Sequence, residues 1–205
     1  MDLVSGLITL TILIFSAILH EIAHGFVAYR LGDPTAKIMG RLTLNPKSHI
    51  DPIMSILLPL MLIVSGSPVI FGAAKPVPVD PFNLRDGRRD MAIVALSGPL
   101  TNVAVAILAS LLLNLLGQTA LAPLFYVAAT INLLLAIFNL LPIPPLDGSK
   151  VFSLLLPEKE ANAYLSLGSI GMFIIFFLLL FPLGGFSLGR FVFQLLQFST
   201  KILGL

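Results

Sequence analysis

His20-Glu21-Ile22-Ala23-His24 follows directly on an uncharged, mostly apolar run that begins at Leu3. On a helix, residues i and i+4 share one face, so both imidazoles can reach a single metal ion. Glu21 stands beside the first of them and is the only Glu before Glu158. A carboxylate so placed can take a proton from an attacking water, which is the chemistry of zinc hydrolases. Inside a membrane span an ionisable residue costs roughly 2.5–3.5 kcal/mol on insertion scales, so its presence points to a task. The bland alternative is a buried Glu–His pair in a polar helix contact.

A catalytic zinc usually has three protein ligands and one open position. The third ligand is expected at Asp147, the only acidic residue between Asp90 and Glu158. It follows Asn139-Leu140-Leu141-Pro142-Ile143-Pro144-Pro145-Leu146, where the prolines break a helix. Broken backbone at membrane depth is tolerated where it lines a wet cavity. Asp147 also precedes Gly148, and Asp-Gly is ordinary turn chemistry. Two His and a carboxylate would suit non-haem iron as well as zinc. His49, between Lys47 and Asp51, reads as an interfacial polar residue, since a fourth ligand would close the position water needs.

The elements that must position these groups are membrane helices. Of 205 residues 57% are hydrophobic and 11% charged, with a mean hydropathy of +1.02, which excludes a soluble domain. A net charge of +2 gives no reason to expect a nucleic-acid partner, and the lack of cysteine excludes disulfides and thiolate metal sites. The N-terminus has no basic region or cleavage site before His20, so the first span is read as retained. Residues 1–205 are read as a single integral-membrane domain.

The first helix is expected from near Leu3 to near Leu31, ending at Gly32-Asp33-Pro34. Met91 to Leu146 holds no charged residue, too long for one crossing and right for a hairpin turning near Gly117-Gln118-Thr119. Ala161 to about Pro182 supplies another span, and Phe186 to Leu205 an interfacial helix or partial sixth element. Ile53 to Gly66 is short and carries Pro59. If it re-enters without crossing, Arg30–Lys47, Lys75–Arg89, Lys150 and Lys159 put ten basic residues on one face. The positive-inside rule makes that face cytoplasmic and sets the N-terminus outside. Arg85, Arg88 and Arg89 then read as a topology signal, with a lipid-headgroup contact as the alternative. Gly40–Pro46 and Val69–Val79 read as short interfacial β-strands. The expected fold is thus a membrane all-α, polytopic bundle of about 4–6 segments with a short re-entrant element and small strands.

His24 lies about 10 Å from the cytoplasmic end of its helix at 1.5 Å per residue. Asp147 follows an outside-to-inside span, so both halves converge a short way below the cytoplasmic surface.

The chain resembles the site-2 protease family of intramembrane zinc metalloproteases. The resemblance rests on HEIAH, on Gly98-Pro99-Leu100-Thr101-Asn102, and on FNLLPIPPLDG, and it covers nearly the whole chain in its compact form without a PDZ or CBS domain. It implies one Zn2+ per chain held by His20, His24 and Asp147, with Glu21 as general base and Asn139 helping to stabilise the oxyanion. Gly98 and Asn102 would lie on a central helix packed beside the metal, with close packing as their direct role. The expected partners are a transmembrane protein substrate and membrane lipid, and the expected location is the plasma membrane, with the site near its cytoplasmic face. The substrate would unwind locally, and the strand-like segments would hold it by edge addition. The rival readings are a metal-binding transporter or channel using the same His/His/Asp site, and a helix-binding pseudo-enzyme. The sequence shows no internal repeat of the kind many transporters carry, and the intact Glu21 argues for catalysis.

Overall fold

The computed structural model describes residues 3–65, 74–117 and 119–205. Helix α1 (Leu3–Leu31) stops where a glycine lets it stop. Gly32 takes φ +117°, and the amides of Gly32 and Asp33 donate to Tyr29 O at 3.3 Å and Ala28 O at 2.9 Å, a Schellman ending. The short α2 (Thr35–Ile38) follows, and a π-type turn at Pro52–Leu57 leads into α3 (Leu58–Val64). Then come α4 (Gly87–Leu116) and α5 (Ala122–Asn139). The chain closes with α6 (Asp147–Phe152), α7 (Glu158–Ser166), α8 (Gly168–Leu180) and α9 (Leu188–Leu203).

Among the described residues, three helices are long and apolar enough to cross a membrane: α1, α4 and α5. A fourth crossing arises only if α7 and α8, bent by 64° at their junction, count as one. Helix α3 and its leading turn are too short to cross. Leu7, Phe15, Leu111, Leu115 and Phe173 stand exposed on outer faces, which suits lipid and not water. Helix α9 is amphipathic: Leu188 and Val192 pack on Leu141, Leu146 and Ile175, while Phe193 and Phe198 face outward.

Helix α4 is the central element, packed against α1, α5 and α6. Its buried face carries Ala95, Gly98, Asn102, Ala106 and Ala109. Side chains this small let neighbouring backbones approach closely, which is how helices associate in membranes. The segment that brings in Asp147 is fixed from several sides. A Cβ on Gly148 would run into the Leu140 carbonyl, and one on Gly171 of α8 into the Pro144 carbonyl. Tyr164 donates its hydroxyl to Pro142 O at 2.7 Å. Arg88, expected as a topology signal, also ties α4 to the turn after α6 by donating to Ser153 O and Leu156 O, both at 2.9 Å.

The expected strands are not formed among the described residues. Gly40 sits at φ +64° within a turn closed by Arg41 N–H on Ala36 O at 2.9 Å, and Pro46 opens a 3-10 turn. Residues 74–80 are irregular backbone, and Pro76 and Pro78 remove the amides a ladder would need. Residues 69–73 of the second expected strand lie outside the described residues, as do Gly66 and Gln118. No strand edge is offered for substrate addition among the described residues.

Candidate metal centre

Helix α1 turns His20 and His24 to the side that faces α4, and α6 presents Asp147 from its first position. His20 Nε2 and His24 Nε2 lie 2.9 Å apart, and each is 3.2 Å from Asp147 Oδ2. All three residues are buried, at 6, 8 and 7% exposure. Glu21 follows His20 on the same helix, and its Oε2 accepts the Val77 amide at 2.6 Å. The other Asp147 oxygen accepts Lys150 Nζ at 3.0 Å.

The far sides of the rings show where their protons are. His24 Nδ1 is 2.7 Å from the carbonyl of Val94, a group that only accepts, so His24 carries its proton on Nδ1. His20 Nδ1 is 2.6 Å from Asn102 Oδ1 and does the same. With the rings neutral, both Nε2 lone pairs then point toward the same carboxylate oxygen. A metal cation would satisfy all three at once. A tetrahedral ion with bonds of about 2.0–2.1 Å sets its ligand atoms roughly 3.3 Å apart, close to the spacing found. Room is left beside them as well. A Cβ on Gly98 would sit 2.5 Å from His24 Nε2 and 2.6 Å from His20 Nε2, so only glycine keeps the space next to the donors open. These three residues could hold a metal ion, and the imidazole and carboxylate donors fit zinc.

The sequence profile of peptidase family M50 matches residues 114–182. YwhC of Bacillus subtilis (strain 168), provisionally named a zinc metalloprotease, is 37% identical over 186 residues, which are 86% of this chain and 81% of YwhC. The chain belongs to family M50. It is a zinc metallopeptidase of the site-2 protease family, as the motifs implied. Rip2 of Mycobacterium tuberculosis (strain H37Rv), also provisionally named a zinc metalloprotease, is 35% identical over 167 residues; these are 80% of this chain and 62% of Rip2. Rip2 of Mycolicibacterium smegmatis is 31% identical over 194 residues, 93% of this chain and 72% of that protein. No solved structure matches.

Within this M50 peptidase the structure gathers His20, His24 and Asp147 but keeps Asn139 apart from their hydrogen bonds. Asn139 Nδ2 donates to Leu135 O on its own helix at 3.0 Å. Asn102, read from the sequence as packing only, reaches the His20 ring directly. His49 is no ligand to this group: its Nε2 donates to Thr43 O at 2.8 Å. Val77, Arg41 and Lys150 were missed as neighbours of the site. Arg41 Nη2 donates to Lys75 O at 2.8 Å and Pro76 O at 3.2 Å, and the Val77 side chain abuts Gly25, one turn beyond Glu21. The irregular segment 74–80 thereby lies along α1 with its Val77 amide aimed at the Glu21 carboxylate. A signal for Asn102 did exist, since an amide in an uncharged span usually hydrogen-bonds another helix.

Below the site, where α1 ends, Asp33 is fully buried. Its carboxylate accepts the Asp80 amide at 2.8 Å and Asn83 Nδ2 at 3.0 Å. Burial alone would raise its pKa, but hydrogen bonds from Thr35, Asp80 and Asn83 outweigh that and hold it below the usual aspartate value.

Proposed function

We propose that this chain is an intramembrane protease that hydrolyses a peptide bond in or near the transmembrane segment of a membrane protein. The observation that carries the reading is the convergence of His20, His24 and Asp147 on one buried point, with Glu21 and both histidines on a helix long and apolar enough to cross the bilayer. His20, His24 and Asp147 would hold one zinc ion. Zinc bound there would supply Lewis-acid polarisation of the scissile carbonyl and a water of pKa lowered towards ~7.

Glu21 is the general base. Its carboxylate takes the proton of the attacking water and returns it to the leaving amine. The Val77 amide on Oε2 holds the carboxylate in one orientation. Asn139 stabilises the oxyanion by turning its Nδ2 away from Leu135 O. Lys150 holds the second Asp147 oxygen, so that Oδ2 faces the imidazoles. With α7 and α8 as one broken crossing and α3 as a re-entrant element, the membrane segments reach the lower end of the 4–6 expected, within one domain over residues 1–205. The basic loops support a site near the cytoplasmic face, with the plasma membrane as the proposed location and a cytosolic fragment as the product released. Burial of the donors within the bundle requires the substrate helix to unwind before it is cut.

The test uses the full chain in detergent or liposomes. Wild type, Glu21→Gln and Asp147→Ala are compared for bound zinc and for cleavage of single-span substrates. Zinc near one per chain in wild type and Glu21→Gln, with cleavage by wild type only, is expected, along with loss of both in Asp147→Ala. Cleavage that survives Glu21→Gln would refute the assignment of the base.

A further inference from the structure

A second polar feature lies deeper in the bundle than the three donors, and nothing in the reaction uses it directly. Ser16, Asn102 and Asn132 come from α1, α4 and α5, at 4, 0 and 0% exposure. Asn132 Nδ2 is 2.9 Å from Ala128 O and 2.8 Å from Ser16 Oγ. Asn132 Oδ1 is 2.8 Å from Asn102 Nδ2, and Asn102 Oδ1 is 2.6 Å from His20 Nδ1. The group ends on the ring that faces the metal centre.

The direction of this chain can be worked out from one end. A backbone carbonyl only accepts, so the Asn132 atom facing Ala128 O is the amide nitrogen. Its oxygen then faces Asn102, which has to donate. Once Asn102 has turned its nitrogen to Asn132, only its oxygen is left for His20. An oxygen there fixes the proton on His20 Nδ1 and leaves the Nε2 lone pair directed at His24 and Asp147. Reversal of any one amide would set nitrogen against nitrogen or oxygen against oxygen at about 2.8 Å, between side chains that are buried.

We propose that Asn132 is a positioning residue for the metal centre: through Asn102 it sets the tautomer and orientation of His20. This rests on the reading of His20 as a zinc ligand. His24 needs no such device, because the Val94 carbonyl settles its tautomer in one step. The alternative is that the two amides merely tie three helices together, as polar residues in spans often do. That role needs hydrogen bonds but no particular polarity, and it would act on both histidines alike.

The test is zinc affinity, measured on the full chain in detergent by competition with a chromogenic chelator, together with imidazole proton exchange in the 15N-histidine-labelled, zinc-loaded protein. With only three histidines in the chain, the signals can be assigned. Wild type should show slowly exchanging Nδ1 protons on His20 and His24. Asn132→Leu should weaken zinc binding roughly 10–100-fold, the usual effect of removing an outer partner of a ligand, and should speed exchange at His20 while leaving His24 slow. Ser16→Ala should change little, since Ala128 O still anchors the chain. If Asn132→Leu does not fold, Asn132→Ala removes the same amide without added bulk; the same two changes are expected. Unchanged affinity and unchanged His20 exchange would overturn the proposal, and so would faster exchange at both histidines. If wild type itself binds no zinc, the reading of the site fails and not the relay alone.

Discussion

Replacing Gly98 by alanine adds one methyl group at the place where the site has least room for it. The new Cβ would lie 2.5 Å from His24 Nε2 and 2.6 Å from both Nε2 and Cε1 of His20, whereas ordinary contact begins at 3.4 Å. To restore contact, each ring would have to retreat by the difference, 0.9 and 0.8 Å. Neither ring is free to do so, because Nδ1 of each is held from behind by Val94 O or Asn102 Oδ1. Metal–ligand distances are held to about ±0.2 Å, so a shift several times larger removes both imidazoles from coordination. If α4 backs away from α1 instead, the cost is the ~1–3 kcal/mol typical of overpacking. Zinc affinity should therefore fall by more than the ~10–100-fold that loss of an outer partner produces, and cleavage should fall with it. The assay is zinc per chain after purification, with chelator competition for affinity. Gly87→Ala is the control: it is on the same helix, and its Cβ would meet nothing within 4 Å. Wild-type zinc content and affinity in Gly98→Ala would refute the claim that the space beside the two Nε2 atoms belongs to the ion.

Arg41→Ala should loosen the backbone at Lys75 and Pro76 and let the Val77 amide leave Glu21. Turnover should drop roughly tenfold or more, as expected for one hydrogen bond to a charged group, with bound zinc unchanged; loss of zinc would show instead that Arg41 supports the whole site. Gly171→Ala should lower the unfolding free energy in detergent by about 1–3 kcal/mol, because its Cβ meets the Pro144 carbonyl. Gly168→Ala, with its nearest atom at 3.7 Å, should be tolerated; equal stability of the two variants would count against the packing of α8 on the proline segment. Asp33 has a lowered pKa in the folded chain, so its contribution is complete above the ordinary value of about 3.9 and is lost as pH falls through the folded one. The melting temperature of wild type should exceed that of Asp33→Asn near neutral pH, and the gap should close on acidification; a gap independent of pH would rule this out.

Much of the site was legible because its signals are local. The i, i+4 spacing of His20 and His24 sets both on one face of any helix, and the apolar run before them makes that helix long. Gly32-Asp33-Pro34 marks the end of α1 because a left-handed residue closes a helix there whatever packs on it. Asp147 stood out by being the only carboxylate in a long uncharged stretch, although nothing local said that its Oδ2 would lie equally far from both imidazoles. Gly40–Pro46 misled: the alternation of Arg41, Leu42, Thr43 and Leu44 suggested a strand, but the positive φ at Gly40 and the 3-10 turn at Pro46 left no extended run to pair.

The sequence by itself determined that the chain is a membrane protein with a metal-hydrolase motif on its first helix, since hydropathy and helical spacing are properties of neighbouring residues. The tertiary structure decided what surrounds the motif. The Val77 amide reaches Glu21, Asn102 reaches His20 and Asn132 reaches Ser16 across separations of 56, 82 and 116 residues. Periodicity carries no record of such contacts, because they depend on how closely helices pack and which way an amide turns once it has no water to bond.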